Sequence, residues 1–205
     1  MSEDRFVLLH SPLATAEQWG GVPEEMRRRN IPCTVPETDA SAMPPYMARY
    51  IAHAALEIDR LHGRGPGEGV RLVARGAAGP LAPQVAAAQR AAGRSVPAYV
   101  LLDALLPQQG TPTLSELAAA QGAGEEVLRD TGGAADPAEL RDEALPIVHD
   151  WPDAPCGYLL TDARYAQCAR MARLRGWPVT DLSEEPPNDA ELAHALVSMS
   201  AELTA

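Results

Sequence analysis

The chain has 205 residues, 46% hydrophobic and 22% charged, a make-up that fits one globular domain with a sizeable core. Its 17 basic side chains are all arginine and are outnumbered by 28 acids, for a net charge of −11 at pH 7, which argues against nucleic acid and anionic membrane partners. No stretch approaches the ~20 apolar residues of a membrane span, and the apolar run at residues 6–9 is too short for a signal peptide, so a cytoplasmic protein is expected.

In chain order, residues 6–9 form a short apolar run of the buried-strand type, broken by His10, Ser11 and Pro12. A helix is predicted over 16–29, with Trp19, Val22 and Met26 at helical spacing, then a short strand at 33–35 ended by Pro36. Pro44 and Pro45 open a long helix to about residue 61, with Tyr46, Tyr50, Ala54 and Ile58 on one stripe. After a Gly-rich connector at 62–69 come a strand at 70–75, a helix at 80–92 and a strand at 98–102 closed by Asp103. Residues 108–155 break the rhythm with Pro, Gly and acids around short helical stretches at 114–121 and 125–129. A connection this long reads as a lid-like insertion. The alternation resumes with a strand at 157–160, a helix at 163–175, a strand at 179–182 and a final helix at 189–203. Asp189 is the expected N-cap of that helix, with Leu192, Leu196, Val197 and Met199 inward. Strands alternating with helices predict a mostly parallel sheet covered on both faces, in a single domain over 1–205.

Residues 70–83 carry the most information. An apolar strand runs into a turn of small residues, Ala74, Arg75, Gly76, Ala77, Ala78, and then into a helix start. This is the small-x-nucleophile-x-small turn of a nucleophile elbow, with glycine where the nucleophile belongs. Three other stretches join it in order: residues 8–12 (Leu-Leu-His-Ser-Pro), 99–104 (Tyr-Val-Leu-Leu-Asp-Ala) and 175–179 (Arg-Gly-Trp-Pro-Val). Over about residues 6–203 the chain resembles the α/β-hydrolase superfamily, specifically small bacterial members that lack the first strands. In that likeness, 8–12 is similar to the oxyanion-loop segment and 73–81 to an elbow that has lost its serine.

The resemblance implies a three-layer α/β-hydrolase-like domain with a helical lid, and a triad in the order nucleophile, acid, histidine. The nucleophile position is Gly76. The acid is Asp162 or Asp103, both at strand ends that face the implied site. The turn after the last strand, 182–188, holds no histidine. With nucleophile and base both missing, classical Ser-His-Asp hydrolysis is argued against.

Each candidate has a plainer role beside its functional one. The N–H groups of Ser11, Leu13 and Ala77 are candidate oxyanion donors. Arg75 leans into the cavity to bind a carbonyl or carboxylate, or pairs with a nearby acid. His10 is an acid or base near neutral pH, or a histidine that packs the loop. Asp162 is a proton handler or a helix N-cap, and Asp103 a proton handler or a cap on strand-end N–H groups. His149, in the insertion, is placed to reach over the pocket. The five histidines, three cysteines and scattered acids show no metal spacing, so no metal or other cofactor is expected. Cys33, Cys156 and Cys168, an odd set without a C-x-x-C pair, read as reduced, buried thiols.

Two functions follow. One is a pseudoenzyme that binds a small apolar ligand or a protein partner, with room for an oligomer. The other is a non-hydrolytic enzyme (cyclase, isomerase, dehydratase or lyase) acting on a small carbonyl compound.

Overall fold

Six segments pair as strands: β1 (Arg5–Leu9), β2 (Cys33–Thr34), β3 (Val70–Gly76), β4 (Tyr99–Ala104), β5 (Cys156–Leu160) and β6 (Val179–Asp181), the four inner ones mostly buried apolar runs and the two at the edges short and part-exposed. In the computed structural model, which describes residues 5–38, 43–62, 69–129, 138–148 and 151–204, they form one sheet in the order β2-β1-β3-β4-β5-β6. Every pairing is parallel. The register runs Val7↔Leu72, Val73↔Val100 and Val100↔Gly157, and shifts at Arg75/Gly76 where β3 enters the elbow.

Alternate side chains of each strand build separate cores on the two sides of the sheet. Phe6, Leu8, Val73, Val100, Leu102 and Leu159 pack under α1 (Val22–Arg28) and α7 (Asp189–Leu203), against Trp19, Met26, Leu196 and Met199. Val7, Leu9, Leu72, Leu101, Tyr158 and Leu160 face the other way. They pack under α2 (Tyr46–His62), α3 (Ala82–Ala91) and α6 (Ala166–Leu174). The result is the three-layer α/β arrangement that the alternation of elements implies.

The insertion contributes to the second core. Its α4 (Leu114–Ala120), a 3-10 turn (Glu126–Leu128) and α5 (Ala138–Asp142) place Leu114, Leu117, Val127, Leu128 and Leu140 in it, all buried. Gln121, also buried, ties the insertion to the end of β4. Its side-chain carbonyl accepts the Leu106 N–H at 2.8 Å and its amide donates to the Leu106 carbonyl at 2.7 Å.

Some element boundaries depart from the sequence reading. The helix expected over 16–29 is a 3-10 turn (Ala16–Trp19) followed by α1, with a break at Gly20, whose φ is +51°. The Gly20-Gly21 pair is a local breaker, and the fold uses it: the Asp189 carboxylate accepts the Gly21 N–H at 2.9 Å, and a Cβ on Gly21 would lie 2.6 Å from it. Asp189 is therefore not the N-cap of α7. Asn188 is, accepting the Ala190 and Glu191 N–H groups at 3.0 Å, while Glu191 accepts the Asn188 N–H. The helix expected over 163–175 likewise opens as a 3-10 turn (Ala163–Tyr165) before α6, and the one expected over 80–92 opens as Gly79–Leu81 before α3. No helix among the described residues is long and apolar enough to cross a membrane.

Candidate functional site at the strand–helix elbow

The carboxyl ends of β3, β4 and β5 bring Gly76, Asp103 and Thr161 together, where ligands sit in open α/β sheets. Gly76 adopts φ +60°, the left-handed conformation that a tight strand-to-helix turn demands and that glycine takes without a steric penalty. A Cβ there would lie 3.3 Å from the Ser11 Cβ, and 3.6 Å from both the Ser11 and the Tyr165 hydroxyl oxygens. Ser11, Ala77, Asp103 and Tyr165 are all buried around this turn.

The candidate oxyanion donors on the first loop have partners already. The Ser11 N–H donates to the Gln18 Oε1 at 2.9 Å, and the Leu13 N–H to the Ser11 Oγ at 3.2 Å. The Ala77 N–H has no hydrogen-bond partner among the described residues, which leaves it as the elbow's open donor.

His10 is locked in place. Its Nδ1 hydrogen-bonds to the Ser11 carbonyl at 2.8 Å. Its Nε2 accepts the Thr38 N–H at 3.4 Å and meets the Thr38 hydroxyl at 3.0 Å. This arrangement fits the neutral tautomer with the proton on Nδ1. Burial pushes its pKa below the ordinary value, against the opposing effects of the Ser11 carbonyl and the Glu37 charge. The Tyr50 hydroxyl holds the His10 carbonyl at 2.6 Å, and the two rings meet edge to face.

Arg75 points to the α1/α7 side of the sheet. Its guanidinium donates to the Gln18 carbonyl and lies 5.8 Å above the Trp19 ring. Its charge still reaches Asp103 and Asp162 and favours their ionised forms.

Asp103 also has a left-handed backbone, at φ +42°, which turns its carboxylate onto the end of β5. It accepts the Thr161 N–H at 2.7 Å, the Asp162 N–H at 3.0 Å and the Thr161 hydroxyl. Desolvation nevertheless holds its carboxyl above the usual range, outweighing those hydrogen bonds. Asp162 caps the 3-10 turn that opens α6, accepting the Arg164 N–H at 2.9 Å and pairing with the Arg164 guanidinium. Desolvation raises its carboxyl, but the Arg164 hydrogen bonds and the charges of Arg164 and Arg75 together hold it below the ordinary value.

His149 lies outside the described residues. Tyr165, which sequence reasoning passed over, closes the site from the β5–α6 side. Its only sequence signal is its place three residues after Asp162, in the turn following the strand whose end faces the elbow. Burial raises its phenol pKa.

Two clefts open elsewhere. One, of about 610 Å³, is lined mostly by apolar side chains of α2 and α3 and by residues 143–146. The other, of about 400 Å³, lies among Pro107, Trp151, Arg175 and Trp177. Neither is lined by Gly76, Ser11, Asp103 or Tyr165.

No protein-family model matches the sequence, and a search of curated proteins finds no relative. Solved structures do match along the full length. An extracellular α/β-hydrolase from a Paenibacillus species is 16% identical, with a TM-score of 0.60 over 96% of this chain and 98% of that one. A pyrethroid hydrolase from Sphingobium faniae is 16% identical, with a TM-score of 0.60 over 97% of each chain. Tomato methylketone synthase I, solved with 2-tridecanone, is 14% identical, with a TM-score of 0.65 over 99% of this chain and 100% of that one. Strand order, an all-parallel sheet, the elbow turn and these full-length matches converge: the chain has the α/β-hydrolase fold.

Proposed function

We propose that this chain is a pseudoenzyme on the α/β-hydrolase scaffold, one that binds a small apolar ligand and turns nothing over. One observation carries the reading: the nucleophile position is Gly76, and Ser11 and Tyr165 occupy the space around the missing side chain. The other parts of the machinery agree with it. Residues 182–188 offer no histidine, His10 has both ring nitrogens engaged, and the Ser11 and Leu13 N–H groups are committed to internal acceptors.

The seat we assign to the ligand is the cleft between α2 and α3, lined by Pro44, Pro45, Met47, Ile51, Ala88 and Pro146. Its volume of about 610 Å³ falls within the range of small-molecule sites. An apolar ketone bound to a protein of the same fold, tomato methylketone synthase I with 2-tridecanone, supports the ligand class.

Non-hydrolytic proton chemistry at the elbow is the second reading. It is favoured by the raised Asp103 carboxyl and the open Ala77 N–H. Against it, Asp103 is engaged by three donors from Thr161 and Asp162.

Equilibrium dialysis against 2-tridecanone tests the binding half. The expected result is saturable, stoichiometric uptake that Ile51→Arg abolishes. Absence of uptake, or uptake unchanged in a folded Ile51→Arg variant, contradicts it.

A further inference from the structure

The opposite end of the sheet from the elbow carries a second constellation that the α/β-hydrolase reading does not use. Tyr99, Trp151 and Trp177 form a ladder across the amino ends of β4, β5 and β6. Tyr99 meets Trp151 edge to face at 5.8 Å, and Trp151 meets Trp177 at 5.3 Å and 87°. β5 separates this ladder from Thr161, and at ~3.3 Å per residue its five residues span about 16 Å.

Two members of the ladder, Trp151 and Trp177, line the cleft of about 400 Å³, as does Arg175, whose guanidinium lies 5.3 Å above the Trp177 ring. One guanidinium N–H reaches the Pro107 carbonyl at 3.3 Å, and Arg175 has no carboxylate partner among the described residues. Among the described residues, Asp153 pairs with Arg90 and the Tyr99 hydroxyl, and Asp181 with Arg173. Trp151, in the cleft wall, keeps its indole N–H buried with no acceptor among the described residues. In a chain of net charge −11, an arginine with no carboxylate partner among the described residues, lining a cleft beside two indoles, is an available partner for an anion.

We propose that this cleft binds a small aromatic monocarboxylate, with the Arg175 guanidinium taking the carboxylate and the Trp151 and Trp177 indoles taking the ring. One positive charge matches a monoanion and is too little for a phosphate dianion. The edge-to-face indole pair extends readily by one more aromatic ring, which an aliphatic acid does not supply.

Tryptophan fluorescence reads the site, because two of the chain's three tryptophans line it. The probe is 3-phenylpropionate, with 3-phenylpropanamide as its neutral isostere and propionate as the ringless acid. The expected result is a saturable change with 3-phenylpropionate, at least about tenfold weaker binding of the amide, and weaker binding of propionate. Arg175→Gln loses at least about tenfold in affinity, and Arg175→Lys retains part of it. The proposal is overturned if 3-phenylpropionate gives no saturable change, if the amide binds as tightly as the acid, or if folded Arg175→Gln binds as the parent does. The acid–amide comparison on the unaltered protein decides the matter should that variant fail to fold.

Discussion

Gly76 combines a left-handed backbone with close neighbours, Ser11 and the Tyr165 hydroxyl, where a Cβ would stand. Gly76→Ser therefore brings two penalties, a non-glycine residue at φ +60° and a Cβ 3.3 Å from that of Ser11. The variant is expected to lose about 1–2 kcal/mol in a urea titration. It is also expected to show no ester hydrolysis, because the restored hydroxyl has no base beside it. Hydrolysis in that single variant would mean that another residue serves as the base. His10 carries a separate prediction. Its pKa is lowered in the folded state, so the folded protein binds fewer protons than the unfolded chain below the ordinary histidine value of 6.5. The stability it confers is complete above pH 6.5 and is lost as pH falls through the depressed folded value. Urea midpoints measured from about pH 7.5 down to about pH 5 should fall in the parent and fall less steeply in His10→Asn. Equal slopes would show that His10 is not the group responsible.

At the scale of elements, the insertion behaves as part of the domain's core, and Gln121 is its clasp on β4. Gln121→Ala strands a buried N–H and a buried carbonyl of Leu106. The expected cost is about 2 kcal/mol, with faster hydrogen exchange across Leu114–Ala120. Exchange unchanged in α4 would mean that the insertion is held by its apolar contacts alone. The strands were legible in the sequence because a parallel strand buried on both faces must be an apolar run, as in Val7, Leu8 and Leu9 or Val100, Leu101 and Leu102. The use made of the Gly20-Gly21 pair was not, because the carboxylate that bonds the Gly21 N–H comes from Asp189, 168 residues further along the chain. Local propensity carries no trace of a partner that only the fold brings near. Tyr165 was missed for the same reason: nothing in its neighbours along the chain signals that its hydroxyl reaches the elbow.

For the whole molecule, the order of elements and the glycine at the elbow were sufficient to place the fold. The state of the site depended on contacts between segments far apart in sequence, with Ser11 from the first loop and Tyr165 from the last crossover meeting over Gly76. Neither of the two clefts is lined by Gly76, Ser11 or Tyr165, so the ligand seat proposed between α2 and α3 is separate from the elbow. Two of the three thiols expected to be buried are so, Cys156 and Cys168, whereas Cys33, on the edge strand β2, is half-buried. All are free, and burial pushes Cys156 and Cys168 up to about 12, which leaves them unreactive near neutral pH. The proposed function is a hydrolase scaffold without turnover. Its most direct test is a mass-spectrometric time course of the purified protein with p-nitrophenyl butyrate and, separately, a β-keto acid such as β-ketoheptanoate. The expected result is product formation no faster than in the protein-free control. Product that grows with time past one equivalent of protein, and that is lost in Asp103→Asn, would contradict it and place proton chemistry at the elbow.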